Sequence, residues 1–341
     1  MKKALLSLTL IGIIAFITVL SCKKTKSNSG PQQSLNQLFS GLQSTPQSFS
    51  VTAGRDTIVY GNNGTMLHFY TNSFKDANNN IITAGTVNLQ LIEMYKAADM
   101  IGKRATTTAN GQILMSGGQI TMNATMNGQE VYANVYGLGF KHGSSSSASM
   151  ALFYGSTGNA DSTTTWIQSD TRHAGTKTNG TTHVSTTHHT ASIFLFDTCN
   201  NFTWANCDWF CQSDSIKTTV SVILPDTSYN ASNTEMFLVL PNVTCCFKNS
   251  SDTFTAVLSN VESNLGSSSY VAATNTLTLV SEHNTAIVPA GTVYELVVIT
   301  NKNGNFYYYS QSGIIPHNGL SAIAAMAPDT QQDIKDRLAG L

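Results

Sequence analysis

The sequence predicts an all-β fold of two β-sandwich-like blocks, joined by a long Ser/Thr-rich loop region and followed by a short C-terminal helix. Apolar and polar residues alternate in several short runs, as in half-buried strands. Only 11 % of the residues are charged, and Ser, Thr and Asn, which favour strands and turns, are abundant. Asn-Gly pairs, which accept the positive φ angles of tight hairpins, occur at 63–64, 110–111, 127–128, 179–180, 303–304 and 318–319.

A first β domain is predicted over residues 50–141. In "QITMNATMNGQEVYANVYG" the alternate residues Ile120, Met122 and Ala124 share one face before the Asn127-Gly128 turn. The run "TVNLQLIEM" alternates in the same way. It ends near Glu93, which we expect to be a hydrogen-bonded, buried carboxylate.

A second β domain is predicted over residues 216–327. The runs "TTVSVILP", "EMFLVLP", "NTLTLVS" and "TVYELVVITNKNGNFYYYS" give at least four strands, the last two forming a hairpin over Asn303-Gly304. Between the two domains, residues 142–215 are predicted to be a loop-rich junction region. Its first part, 142–190, is rich in Ser, Thr and Gly, and its end is rich in Cys and Trp.

Residues 328–341 predict the C-terminal helix. Asp329 is a candidate N-cap, and Gln332 stands three residues later, as in a capping box. We expect the helix to dock on the second β domain, with a partner-binding helix as the alternative. The apolar stripe that would dock consists of Ile334, Leu338 and Leu341.

The N-terminus predicts export and lipid anchoring. Residues 1–21 contain two lysines followed by an apolar run, as in a signal peptide. The run ends in Val-Leu-Ser before Cys22, which resembles the lipobox of bacterial lipoproteins, in which the cysteine is acylated. A transmembrane anchor is the alternative, but the run is short for a hydrocarbon core of about 30 Å. Residues 22–49, poor in aromatic residues, are predicted to be a flexible tether.

The charge distribution argues against nucleic-acid binding. Five of the 18 basic residues lie within the first 26 positions, so the rest of the chain has 13 basic and 19 acidic side chains. Such a body repels phosphates, and no basic stripe interleaved with aromatic residues is present. The predicted partners are the membrane, through the lipid, and a glycan or another envelope protein.

Several segments together resemble a family of uncharacterised lipoproteins from the Bacteroidetes. They are "GNNGTMLHFYTNSFKDANNNIITAGTVNLQLIEMYKAADMI", "TTTANGQILMSGGQITMNA", "MALFYGSTGNADSTTTW", "VPAGTVYELVVITNKNGNFYYYS" and "FTWANCDWF". The last is similar to the family's Trp-x-Asn-Cys-Asp-x-Phe signature, with Ala205 and Trp209 where Ile and Arg are usual. The resemblance implies an all-β fold and an outer-membrane location, but no activity. The segment after Cys22, "KKTKSN", is basic rather than acidic, so the periplasmic and the cell-surface side both stay open.

The cysteines other than Cys22 are predicted to form structural disulfides. An exported protein favours disulfides, and no Cys-x-x-Cys pair of the zinc or redox type is present. Five thiols allow two bridges and one leftover thiol, in a connectivity that the sequence leaves open; metal binding and unpaired core thiols are the alternatives. The candidates are Cys199, Cys207, Cys211, Cys245 and Cys246.

Histidines and aromatic residues supply the remaining candidate sites. His183, His188 and His189 lie in a Thr-rich stretch and are weak candidate ligands for a divalent metal; a solvated loop that merely carries histidines is the simpler interpretation. In "FYYYS" one face is expected to be core and the other could stack on a sugar or a protein, with cross-strand packing as the alternative. These aromatic residues are Phe306, Tyr307, Tyr308 and Tyr309.

No catalytic residue is predicted. The G-x-S-x-G, H-E-x-x-H and P-loop patterns are absent from the sequence, and no pair of carboxylates stands out. The sequence thus favours a lipid-anchored envelope protein with a binding or structural role and no cofactor. An envelope hydrolase acting on glycan or peptide is the first alternative, and a metal-binding lipoprotein that uses the histidine loop is the second.

Overall fold

The computed structural model describes residues 31–142, 150–157, 164–169, 182–186, 189–211, 215–241, 254–260, 270–279 and 286–341. The described part of the chain is mainly β, as predicted. Its helices are α1 (Pro31–Leu42), α2 (Ala97–Lys103) and α3 (Gln331–Leu338).

The strands up to residue 210 are β1 (Gln47–Thr52), β2 (Thr57–Tyr60), β3 (Met66–Phe69), β4 (Phe74–Lys75), β5 (Thr86–Met94), β6 (Thr108–Ala109), β7 (Gln112–Met126), β8 (Gln129–Glu130), β9 (Tyr132–Ala133), β10 (Tyr136–His142), β11 (Ala151–Thr157), β12 (Thr164–Gln168), β13 (Thr182–Thr186), β14 (His189–Cys199) and β15 (Trp204–Phe210). Those that follow are β16 (Lys217–Thr218), β17 (Val220–Ile223), β18 (Thr234–Leu240), β19 (Ala256–Ser259), β20 (Tyr270–Val271), β21 (Thr276–Leu279), β22 (Val288–Pro289), β23 (Val293–Lys302), β24 (Asn305–Ile314), β25 (Leu320–Ile323) and β26 (Ala327–Asp329).

Strands up to β15 build two large antiparallel sheets. Sheet 1 has the order β1-β5-β7-β15-β11-β12, with β6 and β8 also paired to β7, and sheet 2 has the order β13-β14-β10-β3-β2. Alternate residues of both sheets pack into one buried cluster, because side chains on a strand alternate between its two faces. This cluster contains Leu89, Leu91, Met122 and Leu152 of sheet 1 and Leu67, Phe69, Leu138 and Phe140 of sheet 2.

The strands after β15 build two further sheets. Sheet 3 has the order β20-β21-β17-β25, with β17 and β25 parallel, and sheet 4 has the order β19-β18-β23-β24-β26. The short pairs β4–β9 and β16–β22 lie beside the large sheets. Inward residues of sheets 3 and 4 belong to the same buried cluster as those of sheets 1 and 2: Val220, Val222, Leu277, Leu279, Met236, Leu238, Leu296 and Val298.

A second buried cluster joins sheets 1 and 4 through the three helices. It contains Ile92, Leu114 and Phe153 of sheet 1, Phe237, Val297 and Ile299 of sheet 4, and the helical residues Leu38, Phe39, Met100, Ile101, Ile334 and Leu338. Backbone pairing also crosses between the two halves: Thr107 N donates to Val257 O at 2.7 Å, and Ser116 N donates to Thr255 O at 3.1 Å. The strands before and after residue 211 therefore form separate sheets that share a continuous core.

The predicted alternation is confirmed in β5, and two-residue Asn-Gly hairpins are confirmed at three of the five described pairs; at 63–64 and 318–319 only the glycine has positive φ. In β5, Val87, Leu89 and Leu91 are buried while Asn88 and Gln90 are exposed. Three Asn-Gly pairs have positive φ at both residues and connect β6–β7, β7–β8 and β23–β24, as a two-residue hairpin turn requires. The pair at 179–180 lies outside the described residues.

The predicted flexible tether is wrong for residues 31–49. Residues 31–42 form helix α1, and β1 begins at Gln47, before the predicted start of the first β domain. Apolar residues at i, i+3, i+4 and i+7 of α1 are buried, because this spacing places them on one helix face. They are Leu35, Leu38, Phe39 and Leu42.

The prediction of long surface loops across 142–190 is also wrong where the structure describes this region. Strands β11, β12, β13 and the start of β14 lie within it, and β15 follows. Strand β15 pairs with β7 on one side and β11 on the other, so it is an interior strand of sheet 1. Ser and Thr here occupy strand positions, which suits their β propensity.

The C-terminal helix is confirmed as α3, but its cap differs by one residue. Thr330 is the N-cap: its hydroxyl accepts from Asp333 N at 3.1 Å and donates to Asp333 Oδ2 at 2.6 Å. Asp329 instead accepts from Arg337 Nε at 2.8 Å. Ile334 and Leu338 are buried as predicted.

Helix α3 packs against more elements than the predicted second β domain. Besides sheet 4 it contacts α1 and α2, which precede the second β domain. Within the described residues, no helix is both long and apolar enough to cross a membrane.

Candidate functional site

A cleft of about 560 Å³ opens where the turn after β2, the start of α2, the end of β10 and the C-terminus meet. We call it the lysine cleft. Its volume falls within the range of roughly 300–1,000 Å³ that is typical of small-molecule sites. The lining residues are Asn63, Tyr95, Lys96, Ala98, Asp99, Lys141 and Ala339.

A buried carboxylate fixes one wall of the lysine cleft. Glu93 is 2 % exposed and accepts hydrogen bonds from Asn63 N at 2.8 Å, Thr65 N at 2.9 Å and Gln47 Nε2 at 2.7 Å. A side chain at Gly61 would reach 2.5 Å from this carboxylate, so the turn approaches it closely. The predicted hydrogen-bonded carboxylate is confirmed, and its bonds hold Asn63 in position.

Tyr95 ties that wall to the opposite one. Its hydroxyl hydrogen-bonds with Thr65 Oγ1 at 2.9 Å and accepts from Lys141 N at 3.2 Å. Burial raises the pKa of the Tyr95 hydroxyl above its ordinary value, so it stays protonated and neutral. The aliphatic stem of Lys141 lies against Gly64, where a Cβ would come within 2.7 Å of Lys141 Cδ.

The lysine cleft has two free cationic groups at its rim. Lys96 and Lys141 are exposed, and neither forms an ion pair with any described residue. The carboxylate in the lining, Asp99, accepts from Ser44 Oγ at 2.7 Å. The amide, carboxylate and ammonium side chains of the described lining residues can bind a polar ligand through hydrogen bonds and charge.

Among the described lining residues, the groups that common hydrolytic mechanisms need are incomplete. These residues include one carboxylate and no histidine, cysteine or serine. Paired carboxylates or a nucleophile beside a base are the usual signs of glycan or peptide hydrolysis.

The Trp-x-Asn-Cys-Asp-x-Phe segment forms strand β15 inside sheet 1. Ala205 and Cys207 belong to the first buried cluster, which sheets 1 and 2 share, whereas Trp204 and Phe210 pack in the second cluster with the helices. Trp209 stacks on Phe254 of the second half with ring centroids 6.3 Å apart, which agrees with the packing predicted at a junction. The segment therefore builds the core.

Asn206 and Asp208 form a buried polar network on the helix-facing side of β15. Both are 0 % exposed, Asn206 Nδ2 donates to Asp208 Oδ2, and Ser116 Oγ donates to Asn206 Oδ1 at 3.1 Å. Among the described residues no cation pairs with Asp208. Burial, opposed only in part by the hydrogen bonds, raises the pKa of Asp208 well above its ordinary value and favours the neutral acid.

The disulfide prediction is not met at Cys199 and Cys207. Both are fully buried free thiols, because each is enclosed by the core of sheets 1 and 2 with no facing cysteine. Burial raises the pKa of Cys199 to about 12 and that of Cys207 well above its ordinary value. Cys211 is disulfide-bonded. Cys22, Cys245 and Cys246 lie outside the described residues.

The predicted histidine site stays untested. His188 lies outside the described residues, and of His183 and His189 only the strand positions in β13 and β14 are described. Across the part of the chain that the structure describes, no three His, Cys, Asp or Glu side chains come together as a metal site would require.

The aromatic run of β24 packs on both of its faces. Phe306 and Tyr308 contact the helical cluster, and Tyr308 is 6 % exposed. Tyr307 and Tyr309 are half-buried against the other cluster, and Tyr307 makes an edge contact of 5.7 Å with Tyr229. The arrangement favours the packing alternative over a free stacking surface.

Comparisons with known proteins identify no relative of this chain. No family model matches the chain, and no curated protein or solved structure matches it significantly. The resemblance to Bacteroidetes lipoproteins consequently stays a prediction.

The sequence analysis predicted none of the residues that line the lysine cleft. It did predict Glu93, which lies behind the wall of the cleft. Lys96 and Lys141 are 45 positions apart, and no local pattern joins them. The weak signal was Tyr95-Lys96 directly after the strand that ends near Glu93, because polar residues at strand ends often face a site.

Proposed function

We propose that this protein is a lipid-anchored, extracytoplasmic protein of the bacterial envelope with a non-catalytic binding role, and that the lysine cleft is its binding site. The lipid is carried by Cys22 and holds the protein at the outer membrane. Sheets 1 and 2, and likewise sheets 3 and 4, are inferred to be two β-sandwiches, which provide a rigid frame for the cleft.

The observation that carries the binding proposal is the hydrogen-bonded frame of the cleft. Glu93 and Tyr95 hold its two walls through four hydrogen bonds, to Asn63, Thr65 and Lys141. Preorganised walls reduce the ordering cost of binding, so a ligand loses less free energy on entry. The alternatives of an envelope hydrolase and of a histidine-based metal protein have no comparable observation in their favour.

A glycan array probed with the mature chain lacking the lipid tests the binding role. We expect retention on polar envelope glycans and loss of that retention when Asn63→Trp fills the cleft. The exposed Asn88→Trp on sheet 1 is the matched control and should retain binding. Loss in both variants, or in neither, would place binding elsewhere.

Metabolic labelling with a palmitate analogue tests the anchor separately. The full chain should incorporate the label and sediment with membranes, because several acyl chains anchor a protein stably. Cys22→Ser should remove the label and release the protein. Membrane retention of an unlabelled Cys22→Ser protein would favour the transmembrane alternative.

A further inference from the structure

We propose that the lysine cleft recognises an anionic group, a carboxylate or phosphate on a sugar, held between the ammonium groups of Lys96 and Lys141. This inference rests on the proposed function and adds the ligand's chemical class to it. A sugar acid and a sugar phosphate present the same oxyanion chemistry and are separated in the test below.

The first support is that the two lysines are structurally tied to each other. Tyr95 Oη accepts from the backbone N of Lys141 at 3.2 Å, and Lys96 directly follows Tyr95. The stem of Lys141 is further confined by Gly64. The Tyr95 hydroxyl thus holds the backbone of Lys141 close to the Tyr95–Lys96 segment, and both lysines line the same cleft.

The second support is that the described residues leave these two charges without a counter-charge. Asp99 lines the cleft, but it is one carboxylate against two lysines and already accepts from Ser44. Glu93 lies behind the wall with both oxygens engaged by hydrogen bonds. The described lining residues therefore carry a net positive charge in a chain whose body is otherwise acidic, and an oxyanion would complement them.

The third support is the rest of the lining, which suits a sugar. The side chains of Asn63 and Asp99 line the cleft beside the lysines and can hydrogen-bond to hydroxyl groups. A volume of about 560 Å³ accommodates one or two sugar rings. Glu93 and Tyr95 are positioning residues in this scheme, since they act through Asn63 and Lys141.

Calorimetry with matched ligands tests the inference on the mature protein. The carboxylate arm compares trigalacturonate with its methyl ester, and the phosphate arm compares mannose 6-phosphate with mannose. We expect at least one anionic probe to bind about tenfold more tightly than its neutral partner, and that preference to fall as salt rises. The arm that responds identifies the source of the oxyanion.

Charge-removing variants link the preference to the cleft. Lys96→Gln and Lys141→Gln should each weaken anion binding roughly tenfold, while Lys75→Gln, outside the cleft, should not. Neutral probes that bind as tightly as anionic ones, with binding lost in Asn63→Trp, overturn the anion preference and leave the binding function. Absence of binding by every probe, with native unfolding curves, overturns both. Anion binding unchanged in the Lys96→Gln/Lys141→Gln protein overturns the assignment to this cleft.

Discussion

Arg104 and Glu235 are 131 residues apart in the chain and form a buried, two-point ion pair. Their side chains are 6 % and 4 % exposed, and Arg104 Nε donates to Glu235 Oε2 at 3.1 Å alongside the Nη2–Oε1 contact. The same guanidinium bonds Asn36 of α1 and lies 4.4 Å from the Phe39 ring centroid. One side chain thus joins α1, the end of α2 and strand β18 of the second half.

Removing one partner of this pair should be costly. Glu235→Gln leaves the guanidinium of Arg104 buried without its counter-charge, which we expect to lower the free energy of unfolding by about 3–5 kcal/mol. Urea unfolding measures this loss of free energy. The control Arg337→Gln breaks the pair with Asp329, in which Arg337 is 58 % exposed and Asp329 7 % exposed; because Asp329 keeps a hydrogen bond from Thr330 N, this variant should cost clearly less than Glu235→Gln. Equal effects of the two variants would contradict the role of the buried pair.

Asp208 should make stability depend on pH. Since its folded-state pKa is raised, the stability it contributes is complete below its unfolded pKa, near the ordinary 3.8, and is lost as pH rises through the folded value. Asp208→Asn keeps a neutral side chain and should flatten this decline in unfolding free energy between pH 4 and 8. The exposed Asp226 is the control, because its hydrogen bonds to Ser228 lower its pKa. Its contribution to stability is therefore lost as pH falls, not as pH rises. Parallel pH profiles for Asp208→Asn and the parent would disprove the account.

The free thiols should be inert in the native protein. Cys199 and Cys207 are 0 % exposed, and their raised pKa values keep them as thiols rather than reactive thiolates. Maleimide labelling with peptide mapping should find both unmodified natively and modified after unfolding without reductant. Ser48→Cys, exposed on β1, supplies the reactive control. Native labelling of Cys207 at the rate of that control would be incompatible with the core of sheets 1 and 2.

Helix α1 should be part of the folded core. Leu38→Ala removes a fully buried side chain from the cluster between sheets 1 and 4 and should cost about 2–5 kcal/mol. Gln37→Ala, at the exposed neighbouring position, should change stability by less than about 0.5 kcal/mol. Thermal and urea unfolding compare them. An equally small loss of stability in Leu38→Ala and Gln37→Ala would contradict the helix packing and favour a flexible tether over residues 31–42.

Glu93 should control the shape of the lysine cleft. Glu93→Gln replaces an oxygen acceptor by a donor that faces backbone N–H groups of Asn63 and Thr65, at an expected cost of about 1–3 kcal/mol. Amide hydrogen exchange should accelerate at these two residues. Exchange unchanged there would show that the turn is held by other contacts. The exposed carboxylate variant Glu130→Gln serves as the comparison.

Much of the fold could be predicted from local patterns, because the residue pattern of a strand or hairpin spans only a few consecutive positions. The alternation in β5 and the Asn-Gly turn at 303–304 are of this kind. Helix α1 is not evident from composition although Leu35, Leu38, Phe39 and Leu42 have helical spacing, because the polar residues around them are equally typical of a flexible tether. The strands within 142–190 were missed since Ser and Thr serve both loops and strands.

The candidate site was harder to predict because its parts are distant in sequence. Lys96 follows β5 of sheet 1 and Lys141 lies in β10 of sheet 2, and the two line one cleft only in the folded protein. Arg104 contacts Glu235 only when the two halves pack. Residue type alone suggests disulfides for the cysteines, yet Cys199 and Cys207 are buried core residues with free thiols. The environment of the chain stays a prediction from its N-terminal sequence and composition, whereas the cleft depends on tertiary contacts that no local pattern predicts.

The most direct test of the binding account is an NMR titration of the mature protein with the anionic sugar that binds best. The account predicts chemical-shift changes centred on the amides of Asn63, Lys96 and Lys141, which line one cleft. It also predicts that these changes disappear in the Lys96→Gln/Lys141→Gln protein. Shift changes centred on β24 or on the histidine strands, with the lysine cleft unaffected, would contradict it.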